Sequence, residues 1–260
     1  MLFDAHFHYP VCKNLNVFDK ENINLSSYHA LSCSHSINEW EEQLTSPLCI
    51  KHAFGIHPQL VGRLSEIQLK EYKLFMEELC KEGKLDAIGE AGFDLFTEEF
   101  KASKEKQEEI FLFELELCIK YNLPIVIHCR KANDKLFLYS KNLKKVPTVL
   151  FHSFMGSLVE ANSLIDRGIN CFFRCGKQMI NNNKKVIDCV KNLPLNNLLL
   201  ETDAPFQTLK GEENTLASEI IRVYEASYKL RYEKGSFNMN YEDYEQAIYS
   251  NAKRFLFSLK

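Results

Sequence analysis

His6 and His8, in Asp4-Ala5-His6-Phe7-His8, are the first residues in this chain whose types and spacing could do chemistry. In an extended strand, residues two apart project to the same face, so both imidazoles point one way and Phe7 the other. Two neutral imidazoles so placed suit a shared divalent cation, because the charged forms would repel each other. Glu90, in Gly89-Glu90-Ala91-Gly92, lies among glycines that permit close backbone approach. Its carboxylate has two oxygens and can bridge two cations, which a neutral imidazole cannot do. His128 closes the apolar run Pro124-Ile125-Val126-Ile127, His152 closes Thr148-Val149-Leu150-Phe151, and Asp203 follows Leu198-Leu199-Leu200-Glu201-Thr202. An acid at Asp203 would bind a cation on one side and accept a proton from a bound water on the other. Glu201 is the alternative acid, or else a charge paired inside the fold. Asp94 is expected either as an acceptor behind a ligand or as a loop cap. Carboxylates mixed with imidazoles suit Mg²⁺, Mn²⁺ or Zn²⁺ without choosing among them.

Residues this far apart can act together only if the fold collects the ends of their strands. Short β-rich runs occur near Leu2 to Ala5, His29 to Cys33, Leu48 to Phe54, Leu85 to Gly89, Pro124 to His128, Thr148 to His152, Asn170 to Arg174 and Leu198 to Thr202. They alternate with amphipathic stretches at Ile37 to Leu44, Glu66 to Lys81, Glu99 to Tyr121, Asn133 to Lys144, Leu158 to Arg167 and Asn183 to Lys191. Two more helices, Ser218 to Arg231 and Tyr241 to Phe257, close the chain. Strands that are almost wholly apolar are buried on both faces, which points to a parallel sheet covered by helices. Eight such strands in 260 residues give a single-domain α/β fold over residues 1–260: a (β/α)8 TIM-type barrel with a parallel inner sheet and outer helices. In that fold the C-terminal strand ends converge on one face, where sites are built. Neither GxGxxG nor GxxxxGK[ST] occurs, which disfavours a doubly wound nucleotide-binding sheet. Val11 to Ser27 is expected as a long, irregular first βα loop.

Composition bounds the chemistry further. Apolar residues make up 45% and charged ones 26%, as in folded soluble proteins rather than disordered ones. Thirty-two basic against 35 acidic residues, net charge -3, leave no broad cationic surface for holding duplex. A polyanionic substrate would need a local attraction. No apolar run reaches the roughly 18 residues that a membrane helix needs, and no secretory leader pattern opens the chain. The nine cysteines form no CxxC pair and sit mostly in apolar runs, so they are expected as buried free thiols in a reducing cytoplasm, or in the nucleus of a eukaryotic cell. His29, His35 and His52 carry no assigned role.

Six ordered segments resemble the TatD-like deoxyribonuclease family of metal-dependent hydrolases. They are Asp4-Ala5-His6-Phe7-His8, Gly55-Ile56-His57-Pro58, Ile88-Gly89-Glu90-Ala91-Gly92-Phe93-Asp94, Ile127-His128-Cys129-Arg130, Phe151-His152-Ser153-Phe154-Met155-Gly156 and Leu200-Glu201-Thr202-Asp203-Ala204-Pro205. Asn251-Ala252-Lys253-Arg254-Phe255 is similar to that family's closing helix, so the resemblance spans essentially the whole chain. It implies an amidohydrolase-like barrel holding two divalent ions and cutting DNA. His6, His8 and Asp203 would bind one ion and His128 and His152 the other, with Glu90 bridging. The chain departs from the family pattern at Tyr9-Pro10, at Gln59 and at Arg174-Cys175, which bears on substrate preference.

Four neutral imidazoles, two carboxylates and two divalent ions would leave a local excess of about +2, enough to draw in a phosphodiester. Asp203 is expected to orient the attacking water and carry its proton, and Arg130 to clamp a phosphate with its planar fork. His57 would contact the scissile group or order a loop. Phe7, Tyr9, Phe93, Phe96, Phe154 and Phe206 lie beside these motifs, and one or two of them would stack on bases. A narrow barrel mouth favours a single strand or strand end, hence exonuclease-like cutting. Two alternatives stand beside this: a hydrolase of another ester or amide (an aminoacyl-tRNA deacylase, lactonase or amidohydrolase) and a barrel that binds a partner without catalysis.

Overall fold

Each apolar run expected as a strand forms one. These are β1 (Leu2–Phe7), β2 (Tyr28–Ser34), β3 (Ile50–Phe54), β4 (Ala87–Asp94), β5 (Ile125–Arg130), β6 (Val149–Phe151), β7 (Cys171–Cys175) and β8 (Leu198–Leu200). The structure is a computed structural model and describes residues 1–233 and 238–257. The strands pair in chain order, every pair parallel, into one eight-stranded sheet. The sheet curls into a nearly closed barrel with its helices outside. All eight residues of β4 are buried, as a strand covered on both faces requires.

Polar bonds just beyond the ladder close the seam between β1 and β8. Asp203 N donates to His6 O at 3.0 Å and His8 N to Ala204 O at 2.8 Å. Thr202 donates to the Asp4 carboxylate twice, from its backbone N at 3.0 Å and its hydroxyl at 2.6 Å. Burial pushes the Asp4 carboxyl up to about 7, against the pull of the Thr202 bonds. Asp4 therefore ties the seam rather than facing the mouth with His6 and His8.

Capping fixes where several outer helices start. Ser65 and Gln68 form a reciprocal capping box at the head of Glu66–Lys81, and Ser157 and Glu160 do the same for Leu158–Asp166. The expected helix Glu99 to Tyr121 is instead two, Glu98–Ala102 and Lys104–Tyr121. At the break the buried Gln107 amide donates to Phe100 O, Ser103 Oγ and, across to β4, Asp94 O. A side chain that can satisfy orphaned carbonyls makes the break tolerable. The expected helix Asn133 to Lys144 is likewise two pieces, Asn133–Leu138 and Ser140–Leu143.

The segment expected as a long irregular loop begins with a helix, Tyr9–Asn14, whose Pro10 sits in the first turn, where a missing N–H costs nothing. Beyond it Val17, Phe18 and Ile23 are buried, and Phe18 packs on Phe7 and Tyr9. The loop is a packed cover beside the barrel mouth.

Candidate metal centre

Strand ends deliver the ligand-type residues to one place. His6 lies in β1 with His8 just past it; Glu90 lies inside β4, not after it, and His128 inside β5. His152 follows β6, and Asp203 stands three residues beyond β8. Gly89 and Gly92, at φ 145° and 128°, let β4 run against β5 here: a Cβ on Gly89 would come within 2.6 Å of Val126 O, and one on Gly92 would collide with His128 O. Asp203 adopts φ 58°, a left-handed conformation costly for a residue with a Cβ, and its bond to His6 O holds it there.

The two oxygens of Glu90 face different imidazoles. Oε2 is 3.1 Å from His6 Nε2, 3.6 Å from His8 Nε2 and 3.3 Å from His35 Nε2. Oε1 is 3.3 Å from His128 Nδ1, 3.5 Å from His152 Nε2 and 3.6 Å from His57 Nε2. His6 and His8 bring their Nε2 atoms within 3.1 Å of each other, each 3.4 Å from Asp203 Oδ1. Donors bound about 2.0–2.1 Å from one tetrahedral ion stand roughly 3.3–3.4 Å apart, and the spacings found bracket that distance. This donor set of imidazoles and carboxylates fits a divalent cation: among the described residues four groupings are close enough to hold one, His6 with His8 and Asp203, His6 with Glu90 and His152, His8 with His35 and Glu90, and His57 with Glu90 and His128.

The electrostatics agree. Burial pushes the Glu90 carboxyl up, yet His6, His152, His128 and His35 together hold it well below the usual carboxylate range. Burial likewise raises Asp203, and His152, His6 and His8 outweigh it downward. The two acids are thus ionised inside the protein, a state that persists only where positive charge answers it.

Behind two of the histidines stand further carboxylates. His128 Nε2 is 3.1 Å from Asp94 Oδ2, whose other oxygen accepts from Phe96 N at 2.9 Å. Asp94 is therefore both the acceptor behind a candidate ligand and the loop cap, two roles expected as alternatives. Gln59, one of the departures from the family pattern, donates to the same Asp94 oxygen at 2.7 Å. His152 Nδ1 is 3.0 Å from Glu201 Oε2, and Arg174 Nε is 3.1 Å from that oxygen.

Glu201 requires a correction. Of its two readings, an acid acting at the cations gives way to a charge paired inside the fold, out of reach of substrate: it is wholly buried, with its oxygens taken by His152, Ser153 N and Oγ, and Arg174. The Arg174 departure explains it: a buried guanidinium neutralises a buried acid that orients His152. The other correction is His35, which composition and pattern left without a role. It follows β2, lies 3.3 Å from Glu90, and neither ring nitrogen has a hydrogen-bond partner among the described residues. The signal was available, since His35 stands two residues past the second apolar run, at the same end of its strand as the other ligand-type residues.

A cavity of about 450 Å³ opens over the cluster, lined by His8, His35, His57, Glu90, Arg130 and Phe206 among others. Burial pulls His57 down to about 3, helped by the charge of His128, so it faces the cavity neutral. Arg130 is exposed at the rim with its guanidinium 3.6 Å above the Phe96 ring. Phe7, Tyr9, Phe93 and Phe154 are buried packing residues, which removes them as base platforms. Phe96 and Phe206 remain, half exposed at 49% and 50%.

The family model described as TatD related DNase matches residues 3–257. The chain is 31% identical over 183 residues to the Escherichia coli uncharacterized metal-dependent hydrolase YjjV, covering 70% of this chain and 69% of that one. It is 31% identical over 208 residues to the metal-dependent hydrolase YabD of Bacillus subtilis, covering 78% and 75%. A relative from Escherichia fergusonii named 3′-5′ ssDNA/RNA exonuclease TatD is 31% identical over half of this chain and 49% of its own length. The crystal structure of YjjV superposes with a TM-score of 0.83 over 98% of both chains at 24% identity, a likeness of fold.

Proposed function

The chain belongs to the family of TatD related DNases, a family of metal-dependent hydrolases, and from that premise we propose that it is a divalent-metal-dependent nuclease cutting phosphodiester bonds at a strand end. The observation that carries this reading is Glu90, whose two oxygens each face a separate group of imidazoles, as a carboxylate shared by two cations requires. His6, His8 and Asp203 would hold one ion, His128 and His152 the other, with Glu90 between them. Such ions, when bound, lower the pKa of a water and polarise a phosphoryl group.

The protein's own residues do the rest. Asp203 Oδ2, held by Gln207 Nε2 at 2.8 Å, orients the attacking water and receives its proton. As the water oxygen bonds to phosphorus and the P–O3′ bond breaks, that proton passes to the leaving oxygen. Arg130 offers its fork to the phosphate from the rim while Phe96 supports its other face. His57 accepts from Gln59 N at 3.2 Å, which orders the short helix Pro58–Val61 beside the cavity. Nine free cysteines, most of them buried, fit a reducing compartment such as the cytoplasm. Among the described residues no helix is long and apolar enough to cross a membrane.

The test is a screen of end-labelled single-stranded DNA and RNA, aminoacyl esters and lactones under Mg²⁺, Mn²⁺ and Zn²⁺, with metal analysis of the purified chain. Stepwise shortening of the strand is expected, with about two ions per chain. Nucleic acid left intact under all three metals, with an ester or lactone consumed, would replace the nuclease by another hydrolase.

A further inference from the structure

Electrostatics around the cavity mouth are lopsided. On one side Glu39 lines the rim, and Arg63, the cation there, is neutralised by Glu99 at 2.9 Å. On the other side Arg130 belongs both to the mouth and to a second, larger groove of about 840 Å³. That groove carries Lys131, Lys184 and Lys185 besides Arg130, and Asp134 as its carboxylate. Among the described residues none of these four cations is held in an ion pair, whereas Lys13, Lys73, Lys101, Lys106 and Lys120 elsewhere on the surface are. Four cations line the groove against Asp134, with Glu160 behind Asn133 and near Lys185 as a further carboxylate, and this surplus forms the local attraction that a chain of net charge -3 otherwise lacks.

Apolar surface accompanies the charge. Phe96 walls the groove at 49% exposure with Arg130 stacked on it, and Met155 lines it at 43%. The alternation of free cations with exposed stacking surface is what a single strand of nucleic acid needs: phosphates meet the cations and bases lie on the aromatic face. Duplex would demand a broader cationic face.

We propose that this groove is an extended strand-binding site, continuous with the cavity through Arg130, in which the several nucleotides next to the scissile bond lie along Phe96, Lys131, Lys184 and Lys185. The inference rests on the nuclease reading for its choice of ligand. It makes catalysis length-dependent: a strand long enough to fill the groove binds better than a dinucleotide. The Arg63 side, closed electrostatically by Glu39 and Glu99, takes no strand.

Two measurements separate this inference from the reading beneath it. Binding of a fluorescent, phosphorothioate-linked single-stranded 12-mer to the Mn²⁺-loaded protein is followed by anisotropy over a salt series. The triple variant Lys131→Gln/Lys184→Gln/Lys185→Gln is expected to bind about tenfold or more weakly, with a log–log salt slope shallower by about 2, at roughly 0.7 per lost phosphate contact. Phe96→Ala should weaken binding roughly 5- to 150-fold without that change in slope, as loss of one stacked base does. Cleavage of strands of two to twelve nucleotides is then compared by kcat/KM. Wild type should gain with length, and the triple variant should lose most of that gain. Unchanged affinity and slope in the triple variant would overturn the groove even if every strand is cut. Weakened binding with no strand cut under any metal would keep the groove and overturn the nuclease.

Discussion

The two halves of the metal centre are built differently. On the β5–β6 side each histidine is backed by a carboxylate, Asp94 behind His128 and Glu201 behind His152, and each acid is anchored in turn by Gln59 or Arg174. On the β1–β8 side no such acid stands behind the pair: His6 Nδ1 has no hydrogen-bond partner among the described residues. The protonation tendencies do not follow this division: burial lowers His8, whereas against burial Cys33, Glu90 and Asp203 lift His6 well above its usual range and Asp94 and Glu90 lift His128 to about 9. An imidazole leaning on a second carboxylate is fixed in orientation and made a stronger donor. The β5–β6 half is therefore preset, and the β1–β8 half depends on Asp203 and Glu90 directly.

The sharpest way to break this comparison is at Asp203. Asp203→Asn should cut turnover by roughly 10²–10⁴, with a melting temperature close to wild type; near-normal rates would remove its proton-carrying role. Next comes Glu201→Gln, which leaves the Arg174 guanidinium buried opposite a neutral group. Denaturant unfolding should show a loss of about 3–5 kcal/mol, and an unchanged midpoint would mean that the pair is not what keeps Arg174 inside. Asp94→Asn leaves the fold intact but should weaken metal binding by roughly 10- to 100-fold, read by calorimetric titration. If the weakened ion proves to be the one His6 and His8 hold, the two halves are not distinct.

His35→Ala should have a smaller effect. It removes one contact to Glu90 and should change metal affinity by about 0.5–1.5 kcal/mol, roughly 2- to 12-fold. A larger loss would mark His35 as a ligand in its own right.

The smallest effect contrasts Glu90 with a buried glutamate that has no imidazoles around it. Glu114 accepts from Ile56 N at 2.8 Å, and burial pushes its carboxyl well above 4.5. The native state keeps that proton where the unfolded chain has lost it, so stability falls as pH rises from 4.5 toward the native value. Glu114→Gln keeps the acceptor and should flatten that decline in a Tm-against-pH series; a slope unchanged from wild type would show that Glu114 is ionised in the fold.

Much of the centre could be found from strand ends alone. His6, His8, Glu90, His128, His152 and Asp203 converge because parallel strands in a barrel all finish on one face. His35, directly after the second strand, obeys the same rule. Glu201 is where the rule fails, because two acids, Glu201 and Asp203, end the last strand two residues apart. The chain's turn after Leu200, with Asp203 in a left-handed conformation, decides which of them faces the cavity and which faces Arg174.

The sequence by itself determined the barrel, through eight apolar strands with helical intervals, and the chemistry of the residues at its mouth, because both follow from local pattern and from a topology that admits one arrangement. Only the tertiary structure decided which oxygen of Glu90 meets which histidine, that Arg174 lies inside with Glu201, and that Arg130, Lys131, Lys184 and Lys185 share one groove. Those outcomes depend on side-chain direction and on contacts between residues on different strands and loops, which no stretch of sequence specifies alone.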